Sequence, residues 1–245
     1  MKRYKILLPW ILFFISAIVL FISSHPTIGW WDSGAYAANA NDLSTPDPGG
    51  SVFFVILGRL FITVFFFLPK IKALTLLSIF STSLASVFLF FTLTEVLNHF
   101  DSSSKSELKI IVSFITALSL PFLYSIWIES NVARVYTLGL LLTSILLLCA
   151  VKVWFAEEDK EKLRWFLLII YLMTIDYSTH RLNMPFIPVV ILLMIFPLRR
   201  FLLKVKYWLH ILLLIFIGLS IQSFFLLEHL KARLFIPKAS EHFQI

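Results

Sequence analysis

The sequence predicts an all-α polytopic membrane protein of about seven transmembrane helices, with one or two juxtamembrane helices in the first outer loop. Three observations carry this expectation. Hydrophobic residues make up 59% of the 245-residue chain and charged residues only 14%, whereas soluble domains carry about 25% charged residues. Mean hydropathy is +0.90. Apolar runs recur along the whole length, most of them near the ~20 residues that cross a bilayer core. No polar stretch is long enough for a soluble domain, so a single transmembrane domain is expected over 1–245. The net charge of +7 reads as the Lys and Arg of cytoplasmic loops and headgroup contacts. No nucleic-acid partner is expected.

The apolar runs fall at 6–24, 51–69, 73–98, 108–126, 135–155, 165–177, 184–198 and 207–227. The first follows Lys2, Arg3 and Lys5, as a signal peptide would. It lacks an Ala-x-Ala cleavage pattern and more spans follow, so it reads as an uncleaved first helix. The segment 25–72 reads as an outer loop carrying a short helix, Ser33 to Asn41, with Asp32 at its N-cap. The run Pro46 to Gly50 reads as a turn. The stretch Ala156 to Arg164 is an ordinary solvated loop. Pro185, Pro188 and Pro197 crowd one run, and 165–177 is short for a crossing. Short, irregular helices at membrane depth are tolerated where they line a cavity. Residues 228–245 form a C-terminal tail.

The distribution of Lys and Arg discriminates two topologies, because cytoplasmic loops hold the excess. If all eight runs cross, the count is 10 inside and 10 outside, with Arg59 left in a span. If 51–69 lies along the outer interface instead, the count becomes 13 inside and 8 outside. Arg59 then also avoids mid-bilayer, where a charge costs a few kcal/mol or more. The seven-span arrangement puts Asp32, Glu129, Arg134 and His180 on one outer side.

An ionisable group at membrane level is a functional hypothesis, and several converging in a cavity are a stronger one. Each has a plainer reading. Asp32, in the loop Trp30 to Tyr36 (WWDSGAY), sits beside two Trp that favour the interface, and it could do no more than cap a helix. Glu129 and Arg134 could form a local salt bridge. His180 follows Asp176 at i+4, as a satisfied polar pair or as a phosphate or proton site. Cys149 lies in an apolar run and reads as a small core hydrophobe. The chain has no Gly-rich phosphate loop, no His-Glu-x-x-His and no nucleophile elbow. No metal and no cofactor are expected. Matched broken helices are absent, against a secondary transporter.

Four stretches resemble the protein O-mannosyltransferase-like membrane family of the glycosyltransferase C superfamily. WWDSGAY at 30–36 resembles the family's Asp-Ser-Gly-Glu loop after the first helix. PDPGGSVFFVILGRLF at 46–61 resembles a His-Pro-Pro-Gly stretch and its amphipathic helix. IWIESNVARVY at 126–136 resembles a Trp-Ser-x-Ala-x-x-Ala-Glu-Val-Tyr motif. STHRLNMPFIPVVILL at 178–193 resembles a Gly-x-His-Leu-Leu-Asn-Leu-x-x-Ile-Pro run. The four occur in the family's order over nearly the whole chain.

The resemblance implies a glycosyltransferase C-like fold and an inverting transfer from a polyprenyl-phosphate sugar, mannose being one option, to a hydroxyl on a protein or glycan acceptor. Asp32 holds the position of the general base. Arg59, Arg134 or Arg181 would supply the cation for the lipid phosphate, and His180 would bond the phosphate or the sugar. Glu129 and Tyr136 fall in the matched motif and are expected in the substrate site. The chain would lie in a membrane of the bacterial inner-membrane kind, with its site outward and membrane lipid as a partner.

Two positions depart from the family pattern. Ala35 stands where the Asp-Ser-Gly-Glu loop has Glu, and Arg134 where Glu-Val-Tyr has Glu. Family members also run on past 245 residues, which leaves an N-terminal module, a truncated product and a degenerate member as descriptions. Two other functions therefore stand beside the enzyme. One is a non-catalytic relative that binds lipid-linked sugar or a partner membrane protein, the other a small transporter.

Overall fold

The computed structural model describes residues 2–27, 29, 32–44, 51–100, 105–181, 183–202 and 204–223. Trp30, Trp31, the Pro46–Gly50 turn and the 228–245 tail lie outside the described residues. Those described form helices and turns only. In chain order the helices are α1 (Lys2–Ser23), α2 (Ser33–Asp42), α3 (Val52–Val64), α4 (Lys70–Phe100), α5 (Ser106–Ser119), α6 (Tyr124–Ser130), α7 (Tyr136–Phe155), α8 (Asp159–Tyr177), α9 (Ile187–Ile195), α10 (Arg199–Leu202) and α11 (Val205–Leu219).

Helix α4 is the axis of the fold, packing against α1, α3, α5, α6 and α7, while α8 joins α7 to α11. Its composition explains that position. Ala73, Ser78, Ser81, Thr82, Ser83, Ala85 and Ser86 are all buried on it, and small side chains let helices approach closely. Two of its hydroxyls are bonded within the apolar surroundings: Thr75 Oγ1 donates to Ile71 O at 2.8 Å, and Thr82 Oγ1 meets Ser130 Oγ of α6 at 2.7 Å. Phe13 of α1, Phe61 of α3, Phe65 just after it and Phe80 of α4 interlock, with Phe80 at 5.6, 5.6 and 6.2 Å from the other three rings. Gly58 of α3 marks a tight crossing. A Cβ there would lie 2.6 Å from Leu74 Cδ1 and 3.0 Å from Ala40 Cβ, so only glycine lets α2, α3 and α4 meet.

Among the described residues, helix length and composition give three candidates for the seven expected spans: Lys70–Phe100, Tyr136–Phe155 and Val205–Gln222. A fourth appears if Ser106–Phe122 and Tyr124–Ser130, bent by 62°, count as one. The break falls at Leu123, extended at ψ 132°, directly after the 3₁₀ turn Leu120–Phe122 that carries Pro121. The other expected spans are shorter or less uniformly apolar among the described residues. Helix α1 has 22 residues and opens on Lys2, Arg3 and Lys5. Helix α8 begins in the charged stretch Asp159–Arg164. The run 184–198 yields Met184–Ile195, opened by a 3₁₀ turn over Pro185 and ended just before Pro197, which has no N–H to continue the helix. Helix α3 has 13 residues, about 20 Å against a core of about 30 Å.

Candidate functional site

Helix α2 starts where the sequence places it, at Ser33, with Asp32 as its N-cap residue. The capping role does not extend to the side chain. Asp32 makes no side-chain cap hydrogen bond, and the residue is exposed. Its backbone carbonyl accepts Tyr36 N at 2.9 Å. One helical turn on, Tyr36 is buried and packs edge-on to Phe54 of α3, 5.2 Å between centroids. Its hydroxyl shares a hydrogen bond with Ser51, which stands at φ 70° at the start of α3. Burial raises the Tyr36 pKa above 10.0, and the charges of Asp32 and Tyr136 act the same way. Ser51 and Arg134 oppose the rise. Tyr36 therefore reports that Asp32, Arg134 and Tyr136 share one neighbourhood.

Arg134 is fixed from α4. Ser78 Oγ donates to Arg134 O at 3.2 Å and accepts Arg134 N at 3.1 Å. The Arg134 side chain pairs with Glu129, Nη1 to Oε1 at 2.8 Å, so the local salt bridge expected as the plainer reading is formed. The second Glu129 oxygen, Oε2, is buried with no hydrogen-bond partner among the described residues. Two residues after Arg134, Tyr136 opens α7 and meets His180 edge-on at 5.3 Å and 84°. His180 Nδ1 is likewise buried and unpartnered among the described residues.

His180 rides on a tightly tied turn. Asp176 O accepts the amides of Thr179, His180 and Arg181 at 2.9, 3.2 and 3.1 Å. The Asp176 carboxylate does not pair with the His180 side chain, as i+4 spacing had suggested. It accepts Asn183 N and Nδ2, both at 2.9 Å. Asn183 Nδ2 also reaches Gly139 O of α7 at 3.4 Å, and Thr143 donates to its Oδ1. Ser178 O accepts Phe53 N at 3.1 Å, so the same turn holds the start of α3.

Two arginines stand apart. Arg59 donates to Asn41 O, at the far end of α2, roughly 13 Å of helix rise from Asp32. There it complements the C-terminal carbonyls. Arg181, with φ 59°, lies over the Tyr177 ring at 4.4 Å. Asp32, Glu129, Arg134, Tyr136 and His180 thus gather at one end of the bundle, with the C-terminal end of α1. Lys72 of α4 donates there to Phe21 O at 3.3 Å and Ser24 O at 3.2 Å.

Beside this cluster a cleft of about 520 Å³ opens between the end of α1 and α6, lined in part by Ser23, His25, Trp127, Asn131 and Arg134. Sequence reading left Tyr36, Ser51, Trp127, Asn131 and Asn183 without a role. All five lie inside the quoted motifs as residues able to hydrogen-bond or stack, but only the fold shows what they face.

No curated protein and no solved structure matches the chain. Residues 32–202 match the family model for the protein O-mannosyl-transferase TMEM260 N-terminal domain. The match spans well over half of the chain, from Asp32 through His180 to the end of α10, and the chain belongs to that family.

Proposed function

We propose that the chain is an inverting membrane glycosyltransferase that moves a hexose, mannose by the family's name, from a polyprenyl phosphate to a hydroxyl of a protein or glycan acceptor. The observation that carries this is Asp32: a carboxylate not engaged in capping its own helix, exposed, and close enough to the buried Tyr36 to act on it together with Arg134 and Tyr136. The acceptor O–H gives its proton to the Asp32 carboxylate. The oxygen bonds to the anomeric carbon from the face opposite the lipid. The bond from that carbon to the phosphate oxygen breaks, and the pair leaves on polyprenyl phosphate. One base on the acceptor side suffices for inversion. Arg134 is assigned to the leaving phosphate, His180 and Tyr136 to the sugar or phosphate oxygens, and Glu129 to holding Arg134. Arg59 and Arg181 are the alternatives for the phosphate, less favoured because Arg59 bonds the far end of α2 and Arg181 lies over Tyr177, both away from the Asp32 cluster.

The proposed architecture is glycosyltransferase C-like, with about seven passages over a single domain and α2 and α3 as juxtamembrane helices of an outward loop in a bacterial plasma membrane. The short α3 supports this, as do α1 and α8. Their 22 and 19 residues make about 33 and 28 Å, near one core thickness. The test of function is transfer from a mannosyl prenyl phosphate by the chain and by Asp32→Asn. Turnover by the chain and none by the variant is expected. Full turnover by the variant removes Asp32 as base.

A second reading has its own support. The Glu129–Arg134 pair is closed at 2.8 Å, and Ala35 replaces a family carboxylate. A relative that binds lipid-linked sugar without transferring it would look the same. Tight binding of the mannosyl lipid with no transfer by the unaltered chain would favour it.

A further inference from the structure

The cleft between α1 and α6 has a chemistry of its own. Its volume of about 520 Å³ falls within the 300–1,000 Å³ of small-molecule sites. One wall is the Trp127 indole, held from behind by the packing of α1 and α4. The rest is polar. Asn131 Nδ2 donates to Trp127 O at 2.7 Å and its Oδ1 accepts Ser23 Oγ at 2.8 Å. Each side of that amide keeps a further proton or lone pair. His25 is tied by its backbone to Asn131 O at 3.0 Å while the residue is exposed. Gly29 closes the cleft so tightly that a Cβ would sit 2.7 Å from Val132 Cγ1. Among its lining residues Arg134 supplies a positive charge and none is a carboxylate. The helices beside it carry exposed apolar side chains: Ile18 and Ile22 of α1, and Ile128 of α6, which lines the cleft itself.

An aromatic face, a set of neutral hydrogen-bonding groups, one fixed cation and an apolar flank match an amphiphile in four parts. We propose that this cleft seats the donor headgroup, a polyprenyl-phosphate hexose, with the sugar on Trp127, its hydroxyls on Asn131, Ser23 and His25, the phosphate at Arg134, and the prenyl chain along the α1 and α6 flank. The assignment rests on the sugar-transfer reading for the identity of the ligand. It leaves the Asp32 and Tyr36 side of Arg134 to the acceptor.

The test is equilibrium binding of three ten-carbon lipids to the full chain in nanodiscs: mannosyl prenyl phosphate, glucosyl prenyl phosphate and the bare prenyl phosphate. The chain should bind one glycosylated lipid about tenfold more tightly than the bare phosphate, the yield of one or two added hydrogen bonds. Trp127→Ala should erase that preference and leave bare-phosphate binding unchanged. Because Trp127 also packs against the core, the exposed His25→Ala serves as the second variant and should weaken the preference several-fold. Equal binding of all three lipids, or a preference intact in His25→Ala and in any folded Trp127 variant, overturns the cleft assignment. A sugar preference that depends on Trp127, in a chain with no transfer activity, keeps the cleft and removes the catalytic reading. Transfer with a preference blind to both variants does the reverse.

Discussion

Two ion pairs of the same length sit at opposite ends of this bundle. At one end Arg134 meets Glu129 at 2.8 Å, and at the other Lys152 meets Glu95 at 2.8 Å. The second joins the C-terminal ends of α7 and α4, next to a His99–Phe155 stack at 3.8 Å. It staples two long helices, and helix-end cations are favourable there. The first lies on the short link between α6 and α7, its backbone clamped by Ser78. It borders a cleft and leaves one carboxylate oxygen buried without a partner among the described residues. Geometry of the pair does not separate structure from function; what surrounds it does.

The largest effect that sharpens this contrast is at Asp32. Asp32→Asn keeps the shape and removes the basicity, and general-base loss costs about 10²–10⁴ in rate. A transfer assay should show that loss, with the melting temperature unchanged because no side-chain cap is lost. Glu95→Gln, a carboxylate change at the opposite end, should leave transfer intact.

Next comes the clasp under His180. Asn183→Ala removes the side-chain hydrogen bond to Asp176, which is 2% exposed, leaving that carboxylate with only the backbone N–H. Loss of partners around a buried charged group costs about 3 kcal/mol, so thermal unfolding in detergent should drop by several degrees. A small change would mean that Asp176 is neutral or hydrated in the fold.

These residues also show what a sequence can and cannot disclose. The start of α2 and the crowded prolines of 184–198 follow from local rules of capping and proline geometry, and both were legible. The number of long apolar helices was not, because hydropathy windows register apolar composition and miss where a helix breaks. Leu120–Phe122 and Met184–Phe186 lie at such breaks and carry Pro121 and Pro185. Within the site, Asp32 and Arg134 stood out as charges in an apolar chain. Tyr36 and Asn183 did not, since a tyrosine or an asparagine has no anomaly until its neighbours from α3, α7 and α8 are known.

A direct comparison of the two pairs follows. Arg134→Gln should weaken binding of a mannosyl prenyl phosphate by about 1.5–3 kcal/mol, the range for a charged hydrogen bond. Lys152→Gln should leave that binding unchanged. Both changes should cost less than about 1 kcal/mol of stability, as partly exposed pairs do. Loss of stability alone for Arg134→Gln, with affinity intact, would make the two pairs equivalent and move the phosphate role to Arg59 or Arg181.

The smallest effect concerns Tyr36, the residue through which the site's charges are felt. Its pKa is raised above 10.0, first by burial. Below about pH 10 the hydroxyl is neutral in both the folded and the unfolded chain, so this group adds no pH dependence there. As pH climbs past 10, the unfolded chain ionises first while the folded chain still holds the proton. The unfolded state is then favoured, and stability falls as pH rises from 10 through the folded value. Tyr36→Phe should lose about 1 kcal/mol at pH 7 with the Ser51 hydrogen bond, and it should not show that alkaline fall. The gap between the two proteins should therefore narrow from pH 7 to pH 11 in thermal unfolding. A gap of constant size would place the Tyr36 hydroxyl in water and detach it from Asp32 and Arg134.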